Sequence, residues 1–214
     1  MSLLLQFLEH DGRPVHKLTG YFKAYENHFS RFRDREVTMY EIGCGKGGSL
    51  QMWKKWLGPR ARIIGVDIKP HCKSFEEEQI YVAIGSQADP KFLRDLHAKF
   101  GTPDIVLDDG SHQMAHMRAT FDVLYPLTSP TGVYAVEDLH TCYWPNYGGG
   151  YKTEGTFIEF CKDKMDEINA PKSRGALSTT PFTRSTASMH VYESIVVFER
   201  APYQKSESLV KGRE

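Results

Sequence analysis

From residue 37 onward the chain alternates short, β-branched or apolar runs with segments whose apolar positions recur at helical spacing. The runs 38–42, 63–66, 80–84, 104–107 and 132–136 read as strands. The intervening stretches 49–57, 91–100 and 116–124 read as helices, and another helix is expected near 156–168. Strands alternating with helices need right-handed crossovers, so the pattern predicts an α/β fold with a mainly parallel sheet and helices on both faces. The tail differs: 189–192 and 194–199 are two extended runs with almost nothing between them. That gap is too short for a parallel crossover, and an antiparallel hairpin is expected.

Ahead of the alternating region, Tyr21, Phe22, Tyr25 and Phe29 recur near helical spacing and predict a helix over about 20–32 that covers an edge of the core or a ligand cleft. Residues 1–36 are expected as an N-terminal helical cap, 37–200 as the main domain and 201–214 as a frayed polar tail. Residues 170–188, heavy in Ser, Thr, Pro and Lys, read as a mobile loop, and 141–153, rich in Gly, Tyr and Pro, as a loop. At 214 residues one compact unit is the expectation, and no internal repeat interrupts it. The first eight residues are too short for a membrane span and lack the basic start and cleavage site of a signal peptide. They are expected to pack as a short helix or dock on a neighbour.

Charge narrows the partners. The 27 basic and 27 acidic residues leave no basic footprint, so nucleic acid is not an expected partner. Cys44, Cys72, Cys142 and Cys161 show no CxxC spacing and suit a reducing, cytoplasmic setting.

Four strand ends carry the chemistry. Glu41-Ile42-Gly43-Cys44-Gly45 closes the first predicted strand; a strand that ends in Gly-x-Gly and enters a helix offers unobstructed N–H groups to a ligand. Asp67 closes the next strand, where a carboxylate can accept hydrogen bonds from ribose hydroxyls. The first stretch resembles the opening motif of class I S-adenosylmethionine-dependent methyltransferases. Gly43, Gly45 and Gly48 also satisfy the GxGxxG spacing of NAD-binding loops, so the motif alone leaves both cofactors open. The hairpin separates them, because a doubly wound dinucleotide fold usually ends in a parallel strand whereas the methyltransferase variant reverses one strand near its end. Gln87 and Asp89 follow the third strand where methyltransferases hold the adenine; a helix cap by Ser86 or Asp89 before Pro90 is the alternative.

Asp108 and Asp109 end one strand, Glu137 and Asp138 the next, so four carboxylates crowd one sheet edge. Like charges held together call for a cation, and a hard divalent ion such as Mg²⁺ takes oxygen ligands. Asp109, Glu137 and Asp138 are the expected ligands, with Asp108 directed at the cofactor or at a structural hydrogen bond. His112, on the turn leaving the same strand as Asp109, suits a general base. These groups predict transfer of a methyl group to a metal-held hydroxyl, of a sugar or else of a phenol or catechol. An NAD-dependent oxidoreductase and a catalytically silent binding module are the remaining readings.

Over roughly residues 20–200 the chain resembles the macrolide sugar O-methyltransferases of the mycinamicin and tylosin type and their cephalosporin hydroxylase-like relatives. The matching stretches are Tyr40-Glu41-Ile42-Gly43, Ile64-Gly65-Val66-Asp67-Ile68, Gly85-Ser86-Gln87-Ala88-Asp89, Asp104 through His112, Tyr134 through Pro145, and Tyr192 through Glu199. The resemblance implies a class I methyltransferase fold, S-adenosylmethionine and Mg²⁺, ligands at Asp109, Glu137 and Asp138, and a base at His112. It also implies that Tyr143 and Trp144 line a substrate mouth for a glycoside or other hydroxylated natural product. The macrolide enzymes carry an additional N-terminal domain that this sequence does not show, which leaves the acceptor and any homo-oligomer contacts open.

Overall fold

The computed structural model describes residues 1–212. Two helices, α1 (Leu3–Leu8) and α2 (Tyr21–Phe29), precede the alternating region β1 (Val37–Ile42), α3 (Gly48–Leu57), β2 (Ala61–Asp67), β3 (Ile80–Ile84), α4 (Pro90–Phe100), β4 (Ile105–Asp108), α5 (Met114–Leu127) and β5 (Val133–Val136). Then come α6 (Phe157–Asn169), α7 (Pro181–Ser185) and the strands β6 (Thr186–Tyr192) and β7 (Ile195–Arg200). Among the described residues seven strands form one sheet in the order β3-β2-β1-β4-β5-β7-β6. Strands β1 to β5 pair in parallel, and β7 runs antiparallel to both β5 and β6. One reversed strand next to the last: this is the class I methyltransferase arrangement that the tail hairpin predicts.

The strands are apolar on both faces because both faces are covered. Successive side chains point to opposite sides, so Met39, Ile63, Ile105 and Leu107 meet Tyr25, Phe29 and Trp53 from α2 and α3. Tyr40, Ile64, Val106 and Tyr134 instead meet Leu93, Phe121 and Phe160 from α4, α5 and α6. Helix α2 therefore packs on the sheet face as part of the main core, and Phe22 joins α1 to it through Phe7, the two rings 5.0 Å apart.

Register builds the functional edge. Ile42 pairs with both Val66 and Asp108, and Asp108 with Val136, so the neighbouring strands end level. The residues that follow, Gly43, Asp67, Asp109 and Glu137, emerge side by side at the carboxyl edge. The strand order reverses between β1 and β4, and the crevice beyond that point is where ligands bind in open α/β sheets.

The expected loop 170–188 is a correction. It contains α7, whose start is a capping box: the Thr180 side chain accepts from the Thr183 backbone while Thr183 accepts from that of Thr180. Pro181 supplies the first helical residue, and Thr180 also donates to Glu167 on α6 at 2.7 Å. Ser, Thr and Pro mark helix starts as well as loops, and composition does not separate the two. The loop 141–153 likewise carries 3₁₀ turns, one at Pro145–Tyr147 and one running into it at Leu139–Tyr143. Residues 201–212 carry no helix or strand, and residues 213 and 214 of the expected tail lie outside the described residues. Among the described residues no helix is long and apolar enough to cross a membrane.

An ion cluster ties α2 to β7. Glu199 accepts from His28 Nδ1 at 2.6 Å and from both terminal nitrogens of Arg31. Burial works to raise the Glu199 carboxyl, but these hydrogen bonds and charges outweigh it and hold the group below its ordinary value near 4.5. A depressed folded-state pKa stabilises the protein above the unfolded value and loses that contribution as pH falls through the folded one. Glu199→Gln is therefore expected to cost about 1–3 kcal/mol at pH 7 and progressively less as pH falls toward 3. Thermal unfolding of both proteins across that range checks it; an equal deficit at both ends would contradict the assignment.

Candidate active site

A cavity of about 330 Å³ opens at the switch point, lined by Gly43, Gly45, Asp67, Gln87, Asp109 and His116 among others. Gly43 sits at φ +90°, and a Cβ there would lie 2.1 Å from the Asp109 carbonyl oxygen. Only glycine lets these two strand ends approach so closely. Asp67 braces the loop: its Oδ2 accepts from Gly45 N and its Oδ1 from Lys69 N, both at 3.0 Å.

Glu41 and Asp108 lie behind this cavity. Glu41, fully buried, accepts from Ser49 Oγ at 2.9 Å and Trp53 Nε1 at 3.2 Å, both on α3. Asp108 accepts from Gln87 Nε2 at 3.0 Å and from Gly110 N at 3.3 Å. Burial pushes each carboxyl up to about 7. Gln87 lines the cavity and also accepts from Ser111 N at 2.6 Å, so it joins the cavity to the turn that carries His112. Asp89 caps α4 through Lys91 N at 2.8 Å and does not line this cavity.

On the other side of Asp109 the carboxylates divide into two groups. Donor atoms of Asp109, His112 and Asp138 all lie within 4.8 Å of one another, close enough for one metal ion. His112 Nε2 is 3.9 Å from Asp109 Oδ1 and 3.5 Å from Asp138 Oδ2. Both His112 (φ 55°) and Asp138 (φ 56°) adopt the left-handed backbone region. Non-glycine residues rarely do so, and such positions concentrate at functional sites. Asp138 is further held by Tyr21, whose hydroxyl donates to Oδ1 at 2.6 Å.

Glu137 is not part of that group. Its Oε1 accepts from the Tyr25 hydroxyl, and Lys17 Nζ lies 2.9 and 3.0 Å from its two oxygens. Lys17 also donates to Asp109 Oδ2 at 2.6 Å and stands 3.8 Å from Glu41 Oε1. Burial would lower the Lys17 pKa, but the charges of Asp109, Glu137 and Glu41 overcome it and keep the ammonium protonated. Glu137 is pushed upward by burial and by Asp109, more than Lys17 offsets. One ammonium serves two buried carboxylates, Glu41 and Glu137, and the partly exposed Asp109.

Lys17, Tyr21 and Tyr25 are the residues that sequence reasoning missed. Their spacing of four was a usable signal: three polar tips on one side of a segment otherwise read only for its apolar face. Tyr143 and Trp144, the expected substrate-mouth residues, are about half exposed and do not line the switch-point cavity. Trp144 packs 5.8 Å from Tyr147, whose ring lies 6.4 Å from that of His112. The four cysteines are buried and free.

No family model matches the chain. Among curated proteins it is 37% identical to the 8-demethyl-8-alpha-L-rhamnosyl tetracenomycin-C 2'-O-methyltransferase of Streptomyces olivaceus, over 89% of this chain and 56% of that protein. It is 36% identical to the mycinamicin VI 2''-O-methyltransferase of Micromonospora griseorubida, over 82% of this chain and 47% of that protein. Among solved structures it superimposes on the MycE methyltransferase of the mycinamycin biosynthetic pathway, in complex with Mg, SAH and mycinamycin VI, with a TM-score of 0.86 at 32% identity, covering 94% of this chain and 54% of the other. The chain thus spans about half the length of the curated relatives it matches.

Proposed function

Since the chain is a homologue of the sugar O-methyltransferases of macrolide and tetracenomycin biosynthesis, we propose that it methylates a sugar hydroxyl of a glycosylated natural product, using S-adenosylmethionine and Mg²⁺. The observation that carries the reading is a shared wall: Asp109 lines the cavity beyond Gly43 and Asp67 and also belongs to the carboxylate–histidine group. A methyl donor on one side would then adjoin an acceptor hydroxyl on the other, the placement that displacement chemistry requires.

The Asp109 and Asp138 carboxylates, within 4.8 Å of each other and of the His112 imidazole, suit a hard divalent ion that takes oxygen donors and leaves the imidazole free. When bound, S-adenosylmethionine would supply the methyl group and Mg²⁺ would hold and acidify the acceptor hydroxyl. Asp109 and Asp138 hold the ion in this reading, joined by Glu137 once its oxygens turn from Lys17. His112 takes up the hydroxyl proton as the new C–O bond forms, and Tyr21 fixes the orientation of Asp138 for that purpose. Asp67 accepts from the donor's ribose hydroxyls, Gln87 lies along the same pocket, and Gly43 and Gly45 let the donor pass close over the chain. Tyr143 and Trp144 face the acceptor.

The test is a thermal shift. S-adenosylhomocysteine at 100 times its Kd is expected to add about 2.7 kcal/mol, a rise in Tm of roughly 5–10 °C for a chain of this size, with no rise from NAD. Methyl transfer to a glycoside acceptor is expected to stop on chelation and return with Mg²⁺. A shift with NAD alone, or transfer undiminished by chelation, would overturn the reading.

A further inference from the structure

We propose that Lys17 is a tethered cation that competes with the divalent ion for Glu137, so that ion binding displaces the Lys17 ammonium from the site. The inference rests on the metal reading above. It starts from a division of labour: the oxygens of Glu137 are engaged by Lys17 and Tyr25, while Asp109 faces both ways, Oδ2 toward Lys17 and Oδ1 toward His112. Glu137 therefore cannot share an ion with Asp109 and Asp138 until it leaves Lys17. An ammonium and a divalent ion on the same few carboxylates repel each other across a buried, weakly screened space, and each weakens the other's hold. The Lys17 side chain is only 1% exposed, so water does little to soften that competition.

The tether is built into the fold. Lys17 lies on the segment between α1 and α2, which is pinned to the glycine loop rather than drifting over it. Arg13 N donates to Gln51 Oε1 at 2.9 Å, and its side chain donates to Gly47 O at 3.3 Å, Phe75 O at 3.2 Å and Glu77 Oε2 at 3.1 Å. The carbonyl oxygens of Arg13 and Pro14 occupy the space a Cβ on Gly48 would need, 2.2 and 2.3 Å from it. The same segment thus touches the start of α3, beside the donor pocket, and ends four residues later in the metal group. Lys17 acts through Glu137 and Asp109 and is a positioning residue for them.

Mn²⁺ binding, followed by the loss of the free-ion paramagnetic resonance signal, tests this without reference to turnover. Lys17→Met is expected to bind Mn²⁺ at least about tenfold more tightly than wild type, because a competing charge has been removed. In a Glu137→Gln background the same substitution is expected to tighten binding by a smaller factor, since Lys17 then competes chiefly through Asp109 Oδ2. Equal or weaker binding by Lys17→Met overturns this inference alone; no binding by either protein overturns it together with the metal reading. Should Lys17→Met fail to fold, amine labelling of the wild-type protein decides. Acetylation of Lys17 is expected to rise at least fivefold on adding saturating Mg²⁺, and unchanged or slower labelling would overturn the proposal.

Discussion

Asp109→Asn is expected to lower methyl transfer by at least about 10³-fold, equivalent to about 4 kcal/mol of barrier, and to abolish measurable Mn²⁺ binding. Among the described residues no other side chain joins the donor cavity, the metal group and Lys17. The amide keeps the shape but removes the charge on which ion binding and the balance against Lys17 depend. Folding is expected to survive, since Lys17 stays paired with Glu137 at 2.9 Å and keeps Glu41 at 3.8 Å. Titration with S-adenosylhomocysteine serves as the control for an intact donor pocket. Transfer above a tenth of the wild-type rate, in a folded protein that binds S-adenosylhomocysteine normally, would show that Asp109 is not at the reacting centre.

Gly43→Ala is expected to damage both fold and donor binding. The backbone there is at φ +90°, where an L side chain costs about 1–2 kcal/mol, and the added methyl would collide with the backbone of Asp109 and Gly110. Backbone at the end of a paired strand cannot yield as a flexible side chain does, since Asp109 N is hydrogen-bonded to Ile42 O at 2.9 Å and Gly43 N to Val66 O at 2.8 Å. The sum is expected to reach about 3 kcal/mol, a fall in Tm of roughly 6–12 °C. Affinity for S-adenosylhomocysteine is expected to drop at least about tenfold, because the collision moves the common wall of the two half-sites. A variant with wild-type Tm and affinity would refute the claim that this close approach shapes the pocket.

Much of the site was legible because strand ends announce themselves. An apolar run followed by Gly-x-Gly, by Asp67, by Asp108-Asp109 or by Glu137-Asp138 says where each strand stops, and parallel strands in register must stop together. The roles within the row were less legible. Asp89 belongs to the predicted adenine segment 85–89, yet its side chain turns back to cap α4. Glu41 precedes the glycines, but β1 directs it away from the cavity, to the side where α3 offers Ser49 and Trp53. One residue of strand alternation decides which face a carboxylate occupies.

The chain's own periodicities and punctuation determine the order of helices and strands, the reversed strand of the closing hairpin, and the convergence of Gly43, Asp67, Asp109 and Glu137 on one edge. These follow from interactions between residues close in sequence and from the requirement that parallel strands share a direction. Only the tertiary structure decides that Lys17, Tyr21 and Tyr25 arrive beneath that edge, that Glu137 faces Lys17 while Asp138 faces His112, and that 170–188 folds around a capped helix. Those outcomes depend on where a distant segment lands: Lys17 meets a partner 120 positions along the chain at hydrogen-bond distance. Side-chain pairing over such separations is set by packing of the whole core, and local pattern carries no record of it.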